Sequence, residues 1–322
     1  MKKLYIGIDL GGTNITFVLT NANGDILGFT GILTPATSAG IDSGIIDSIY
    51  ALAAAASCDV SDIQGIGVGS AGSIDKHNGI IITSPNILCL SGHPLARHIH
   101  ERTGIRVFLE NDATVAVMGE KWMGHGSKFR NWIMLTLGTG VGGGAVIDNK
   151  IYTGQNGNAA EFGHTSIDYR GRRCPCGSTG CLELYASATA LVRYTRSLLR
   201  KYPESSLHAR MRSEPLTPIV IEQEAVRGDS LSARAYKDVA TWLGIGIANF
   251  VNIFNPEAVI LGGGMSRAHT LLLPVVKNVV AQRSLKGLYE NVRYFMVEDQ
   301  RTMPALGAAK IAIDALYNNE VV

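Results

Sequence analysis

Residues 132–154 read WIMLTLGTGVGGGAVIDNKIYTG. An apolar run at 133–137 ends in a glycine-rich loop at 138–144. A second run at 145–147 meets the turn pair Asp148-Asn149, and a third follows at 151–153. Apolar, β-branched-rich runs bounded by Gly, Asn and Asp are strands joined by tight turns. The N-terminus has the same order: a strand at 4–10 ending at Gly11-Gly12, a strand at 15–20, a turn at 21–25 (NANGD) and a strand at 26–33. Strand, glycine loop, strand, turn, strand therefore occurs twice, about 125 residues apart. Such an internal repeat predicts two related lobes, each opening with an antiparallel meander.

The remaining pattern fits that frame. Helices are predicted at 45–56, 94–102, 113–123, 189–201, 217–227, 229–254 and 305–317, and strands at 63–68, 106–109, 258–261 and 292–297. Strands alternating with helices give an α/β architecture. The lobes are placed at 1–115, with a closing helix at 304–322 packing back on it, and at 116–303. The polar segment 202–216 reads as a mobile loop.

Composition narrows the function. The 322 residues are 46% hydrophobic and 17% charged with a net charge of +2, and Lys and Arg are dispersed, which gives nucleic acid no basic patch to bind. No apolar stretch reaches the roughly 18 residues of a membrane span. The apolar run in MKKLYIGIDLGG is broken by Asp9 and has no cleavage site after it, so it is not read as a signal peptide. Three of the five cysteines fall within residues 174–181, which is not a disulfide framework. A soluble cytoplasmic protein without membrane or nucleic-acid partners is expected.

Three glycine loops each follow a predicted strand: Gly11-Gly12-Thr13-Asn14, Gly138-Thr139-Gly140 and Gly262-Gly263-Gly264. Glycine turns the backbone sharply and brings N–H groups close to an anion, and Thr13 and Thr139 can add hydroxyl donors. Three such loops, two of them on repeated units, point to a cleft that grips a nucleotide; none matches the P-loop or the dinucleotide fingerprint. Asp9, at the tip of the first strand, can hold Mg²⁺ against phosphates. Asn111 and Asp112 precede a predicted helix, where they serve equally well as an N-cap or as a catalytic pair with Asp112 as base. His164, Cys174, Cys176 and Cys181 make a four-ligand zinc set, and a shell closed by three thiolates and an imidazole is structural. One His164 nitrogen on zinc would leave the other for a ligand. An extended chain from Cys181 would turn Glu183 the same way. His93, His98 and His100 read as solvated surface, Cys58 and Cys89 as ordinary thiols, and the basic helix with Arg193, Arg196, Arg200 and Lys201 as a wet face.

DLGGTN (9–14), ENDA (110–113), LGTGVGGG (137–144), EFGH (161–164), CPCGSTGCLE (174–183) and ILGGG (260–264) together resemble the ROK family of sugar kinases and regulators, in the actin-like ATPase superfamily. The resemblance spans nearly the whole chain. It implies two ribonuclease H-like lobes with a central cleft and a structural zinc loop at 164–181. It implies Asp112 as the general base for a sugar 6-hydroxyl, with Gly72, Asn86, Asn111, Glu161, His164 and Glu183 lining the sugar site. The glycine loops become the contacts to ATP. The implied activity is a bacterial glucokinase-like hexokinase using ATP, Mg²⁺ and structural Zn²⁺, working as a homodimer. Glucose is the first substrate expected, with allose, mannose, fructose and N-acetylated amino sugars as alternatives, because SPNILCLSGHP (84–94) has no tryptophan after its Pro-Asn. A sugar-responsive regulator is the other class. Its helix-turn-helix would precede the first strand, which starts here at residue 4.

Overall fold

In the computed structural model, which describes residues 3–155 and 157–317, contacts divide the chain into two units. One is Met1–Lys128 with Glu298–Val322, and the other is Phe129–Val297.

The first unit begins with the expected meander, β1 (Leu4–Leu10), β2 (Asn14–Asn21) and β3 (Ile26–Leu33). Helix α1 (Ser38–Ala55) leads to β4 (Ile63–Ser70), and a small hairpin of β5 (Ser73–Asp75) and β6 (Ile80–Thr83) follows. Helix α2 (Leu95–Thr103), β7 (Val107–Asn111) and α3 (Asp112–Met123) complete this part. The sheet order is β3-β2-β1-β4-β7. β1, β2 and β3 pair antiparallel, whereas β4 and β7 add in parallel to β1.

The second unit repeats this plan. Its meander is β8 (Trp132–Leu137), β9 (Val141–Ile147) and β10 (Lys150–Ile151). Helices α4 (Glu183–Ala186), α5 (Ala188–Leu198), α6 (Leu207–Arg210), α7 (Pro218–Val226) and α8 (Ser230–Phe254) precede β11 (Ala258–Gly262). Helix α9 (His269–Arg283) and β12 (Arg293–Met296) end the unit, and α10 (Met303–Tyr317) returns to the first. The order β10-β9-β8-β11-β12 has the same sequence of antiparallel and parallel pairs. The repeat seen in the glycine loops is a repeat of the whole sheet.

Each unit has its own core. Ile6, Ile8 and Leu10 of β1 are fully buried with Ile41, Ile45 and Ile49 of α1, and Ile133, Leu135 and Leu137 of β8 belong to a core with Leu243, Ile247 and Phe250 of α8. Full burial of each such side chain stabilises by about 1.5–3 kcal/mol. Helix α10 lies directly on the first sheet. A Cβ at Gly7 or Gly67 would stand 1.7 Å from the carbonyl oxygen of Ala305 or Ala308.

Three expectations need correction. A break at 115/116 would cut α3, which packs along its length on α10, so the division falls at Lys128 instead. The last five positions of the closing helix expected at 304–322 lie outside the described residues. Helix α1 starts at Ser38, well before 45, because Thr37 caps it by accepting from Gly40 N–H. Segment 202–216 is anchored: Leu207 is fully buried, and Arg210 pairs with Glu214 at 2.7 Å and with Glu224 at 3.0 Å. Among the described residues no helix is long and apolar enough to cross a membrane.

Candidate active site

In the first unit the carboxyl ends of parallel strands β1, β4 and β7 carry the candidate residues, the place where α/β sheets usually collect functional groups. Asp9 pairs in register with Gly69, and Ser70 with Asn111. Asp9 is half-buried, and burial pushes its carboxyl up to about 7, with the Asp112 charge adding to the rise. Two carboxylates that raise each other's cost are a fitting receptor for a cation, so the residues suit the expected Mg²⁺. Asn111 is the N-cap of α3. Its Oδ1 accepts from Ala113 N–H at 2.9 Å and Thr114 N–H at 3.4 Å, and its Nδ2 donates to the Gly72 carbonyl at 3.2 Å. Gly72 must be glycine: its φ is +113°, and a Cβ would stand 1.9 Å from the Thr83 carbonyl oxygen. Asp112 is anchored by Ala113 N–H, which donates to its Oδ1 at 2.8 Å. Asn86 lies against Gly12, whose Cβ would meet the Asn86 carbonyl oxygen at 3.3 Å. Sugar-site and phosphate-loop candidates of this unit are thus neighbours, and Thr13 and Asn14 bond through their backbones to Thr34 and Gly11.

In the second unit a single stretch, the start of β9, ties the candidates together. Glu183 accepts from Val141 N–H at 3.1 Å through Oε2, and a Cβ at Gly140 would lie 2.0 Å from that oxygen. The backbone of the Glu161–His164 segment passes close to the Val141 carbonyl, and Phe162 anchors it, stacking on Phe250 at 4.3 Å. Gly138 is fixed by its N–H donating to the Gly140 carbonyl at 3.0 Å and by Ala188 N–H donating to its own carbonyl at 2.9 Å. Gly263, between Gly262 and Gly264, packs on the Leu137 backbone, so the second and third glycine loops are adjacent. A hollow of about 490 Å³ opens beside Thr139, lined by Ala188, Thr189, Val192, Arg193, Arg196 and Pro218.

The cysteine cluster has the dimensions of a zinc site. His164 Nδ1 is 3.8 Å from Cys174 Sγ, Cys176 and Cys181 Sγ atoms are 3.6 Å apart, and all four ligand atoms lie within 4.8 Å of one another. A tetrahedral zinc with bonds of roughly 2.0–2.3 Å separates its ligands by roughly 3.5–3.8 Å. The set fits, and none of the cysteines is in a disulfide. The Ser178 N–H holds the Cys176 thiol down at about 7, while burial pushes Cys181 up to about 12. A bound cation would offset the cost of the buried thiolate. With Nδ1 turned to the sulfurs, Nε2 of His164 faces elsewhere.

Some site features were not foreseen. Cys181 does not lead to Glu183 along an extended chain, because Leu182 is helical (φ −49°, ψ −41°) and Glu183 opens α4. The basic helix is not uniformly wet, since Arg193 and Arg196 line the hollow beside Thr139. Buried Glu110 accepts from Lys76 Nζ at 2.6 Å and from Asn111 N–H at 2.9 Å, bracing the strand end that carries Asp112. His93 is largely covered and His98 is only partly solvated: both turn to Asp42. Their pairing joins positions some 50 residues apart, which no local pattern signals. Cys89 is exposed and Cys58 half-buried.

The ROK family pattern covers residues 5–315. A glucokinase of Thermotoga maritima is 40% identical over 320 residues, covering 97% of this chain and 98% of its own. A xylose repressor of Caldicellulosiruptor bescii is 34% identical over 315 residues, covering 97% of this chain and 79% of its own. Among solved structures, a ROK family glucokinase from Streptomyces griseus in complex with glucose and AMPPNP has a TM-score of 0.81 at 34% identity, covering 97% of this chain and 99% of its own. The mixed α/β fold is the actin-like ATPase fold of these structures. The chain belongs to the ROK family.

Proposed function

We propose that this chain is an ATP-dependent hexose kinase that phosphorylates the 6-hydroxyl of glucose. The observation that carries the reading is Asp112, a carboxylate fixed at the start of α3, beside Asp9, at the carboxyl ends of β1, β4 and β7. The neighbouring Asn111 amide caps α3 and donates to the Gly72 carbonyl, and of the two residues only Asp112 carries a carboxylate able to take a proton. A base within hydrogen-bond reach of an acceptor hydroxyl contributes about 10²–10⁴-fold to phosphoryl transfer. Gly72 and Asn86 border the same group. Glu161, His164 through Nε2 and Glu183 through the oxygen not taken by Val141 N–H supply further sugar-hydroxyl contacts. The backbones of the loops at 11–14, 138–140 and 262–264 bind phosphate oxygens, and the hollow beside Thr139 is large enough for a purine. Asp9 would hold a Mg²⁺ ion, which would supply positive charge beside the phosphates. A zinc ion on His164, Cys174, Cys176 and Cys181 supplies rigidity, because its four-ligand shell is closed. The glucokinase relatives, one of them solved with glucose and AMPPNP, support both the sugar and the nucleotide.

A coupled assay of ADP release over a hexose panel tests the proposal. Glucose is expected to give the highest kcat/KM, and Asp112→Ala to lower kcat by about 10²–10⁴-fold. No turnover with any hexose, or undiminished turnover by Asp112→Ala, would overturn it. The xylose repressor relative gives the second reading, a sugar-responsive regulator. Sugar-induced stabilisation without turnover would favour that one.

A further inference from the structure

Asp42, His93 and His98 stand apart from every residue assigned a role above. Asp42 Oδ1 is 2.8 Å from His93 Nε2, and its Oδ2 is 2.8 Å from His98 Nδ1. The two rings meet edge to face with centroids 4.8 Å apart, and the three donor atoms lie within 4.8 Å of one another. Ligands at about 2.1 Å from an ion stand roughly 3.0 Å apart in an octahedral shell and roughly 3.4 Å apart in a tetrahedral one. Both nitrogen–carboxylate distances are already close to these values.

We propose that Asp42, His93 and His98 form a second metal site, for a divalent transition ion of the zinc, cobalt or nickel class. Two imidazoles and one carboxylate suit these ions, whereas Mg²⁺ and Ca²⁺ favour all-oxygen shells. Three protein donors leave room for water on the ion. The open side is marked by His98, whose side chain is 40% exposed, against 11% for His93 and 15% for Asp42.

Each donor is held by a different piece of fixed backbone. Asp42 sits in the first turns of α1, just past its Thr37 cap. His93 is tied to β6: Ile81 N–H donates to its carbonyl at 3.1 Å, and Gly92 N–H donates to the Ile81 carbonyl at 2.7 Å. His98 lies in the first turn of α2, its N–H donating to the Pro94 carbonyl at 3.2 Å. A site assembled this way costs little chain entropy to organise. His93 also follows directly on the loop that carries Asn86, which Ser84 N–H closes onto Ser91 Oγ at 3.1 Å. A bound ion would tether the end of that loop to both helices.

The competing account is a plain hydrogen-bonded trio, with two neutral imidazoles donating to one carboxylate. Equilibrium dialysis of the full-length protein against Co²⁺ separates the two. Cobalt on three thiolates gives an intense sulfur-to-metal band in the near ultraviolet, whereas cobalt on imidazole and carboxylate gives only weak visible bands. Wild-type protein is expected to bind one ion more per chain than His93→Gln or Asp42→Asn, with the thiolate band equal in all three. Glutamine keeps an N–H donor toward Asp42 and so preserves the hydrogen bond without the imidazole ligand. If a variant fails to fold, the wild-type spectrum decides alone: weak visible bands beyond those of the thiolate site support the site. Equal uptake by wild type and His93→Gln, or a wild-type spectrum with thiolate-bound cobalt only, overturns it.

Discussion

The fold makes charge costly at Asp9. Burial, and after it the Asp112 charge, raises its carboxyl from 3.8 to about 7. A raised folded-state pKa means the unfolded chain gives up the proton first. The stability tied to the protonated form is therefore whole below the unfolded value of 3.8 and lost as pH rises toward 7. Asp9→Asn is neutral at every pH. Without nucleotide or metal, its melting temperature should equal that of wild type near pH 4, exceed it increasingly up to about 7 and then hold a constant lead. A lead independent of pH would refute this account. Lys76 and Glu110 make a second residue-scale case. Glu110 is 6% exposed, and Lys76→Met would leave its Oε2 without the 2.6 Å partner. Such an orphaned buried acceptor costs about 1–3 kcal/mol, readable as a lower denaturant midpoint. Asn111 N–H donates to the same carboxylate, so kcat should fall as well.

At the scale of elements, α10 shows why glycine placement matters more than helix propensity. Gly307 lies inside α10, where replacing glycine by alanine on an exposed face would stabilise by about 1 kcal/mol. Here a Cβ would stand 1.8 Å from the Val115 carbonyl oxygen of α3. Gly307→Ala is expected to destabilise instead, by about 1–3 kcal/mol, and Gly7→Ala to do likewise against Ala305. A stabilised Gly307→Ala would mean that the helices part at no cost. Propensity and pattern did reveal most elements in the sequence. The meanders could be read because apolar runs and glycine turns are local, and α7 and α8 because Thr217 and Asp229 cap them. What escaped was set by tertiary contact. Helix α9 carries Pro274 in its interior and an apolar run, LLLPVV, without a clear polar face. The β5–β6 hairpin has strands of only three and four residues. Glu183 was expected on an extended chain, yet Leu182, buried against Gly246 of α8, turns helical and leaves Glu183 to start α4. Residue chemistry left Asn111 and Asp112 balanced between cap and base, and only the family resemblance assigned the base to Asp112; the structure shows Asn111 as the cap of α3.

Across the whole molecule, the same sheet was built twice and then given different additions. The first unit keeps Asp9, Asn111 and Asp112 at its strand ends, and the second adds the cysteine cluster between β10 and α4. Because the two cores are separate, a disturbance of the cluster should remain within the second unit. Its path is short. Cys181 bridges Ser166, Leu182 N–H donates to the Thr165 carbonyl at 2.9 Å, and Glu183 follows at the start of α4. Loss of metal there should displace His164 and Glu183 together, while Asp9 and the loop at 11–14 keep their own hydrogen bonds. Cys176→Ser is the cleaner probe, because a chelator would also empty a site at Asp42. Cys176 is exposed, so its substitution leaves the buried packing of Cys174 and Cys181 alone. The expected result is a KM for sugar raised by about 10–100-fold, the cost usual for misplacing groups that a metal orients. The KM for ATP should change far less, and calorimetry should show one of two melting transitions lowered. Equal losses in both KM values, or an unchanged KM for sugar in zinc-depleted Cys176→Ser, would show that the cluster does not position the sugar contacts.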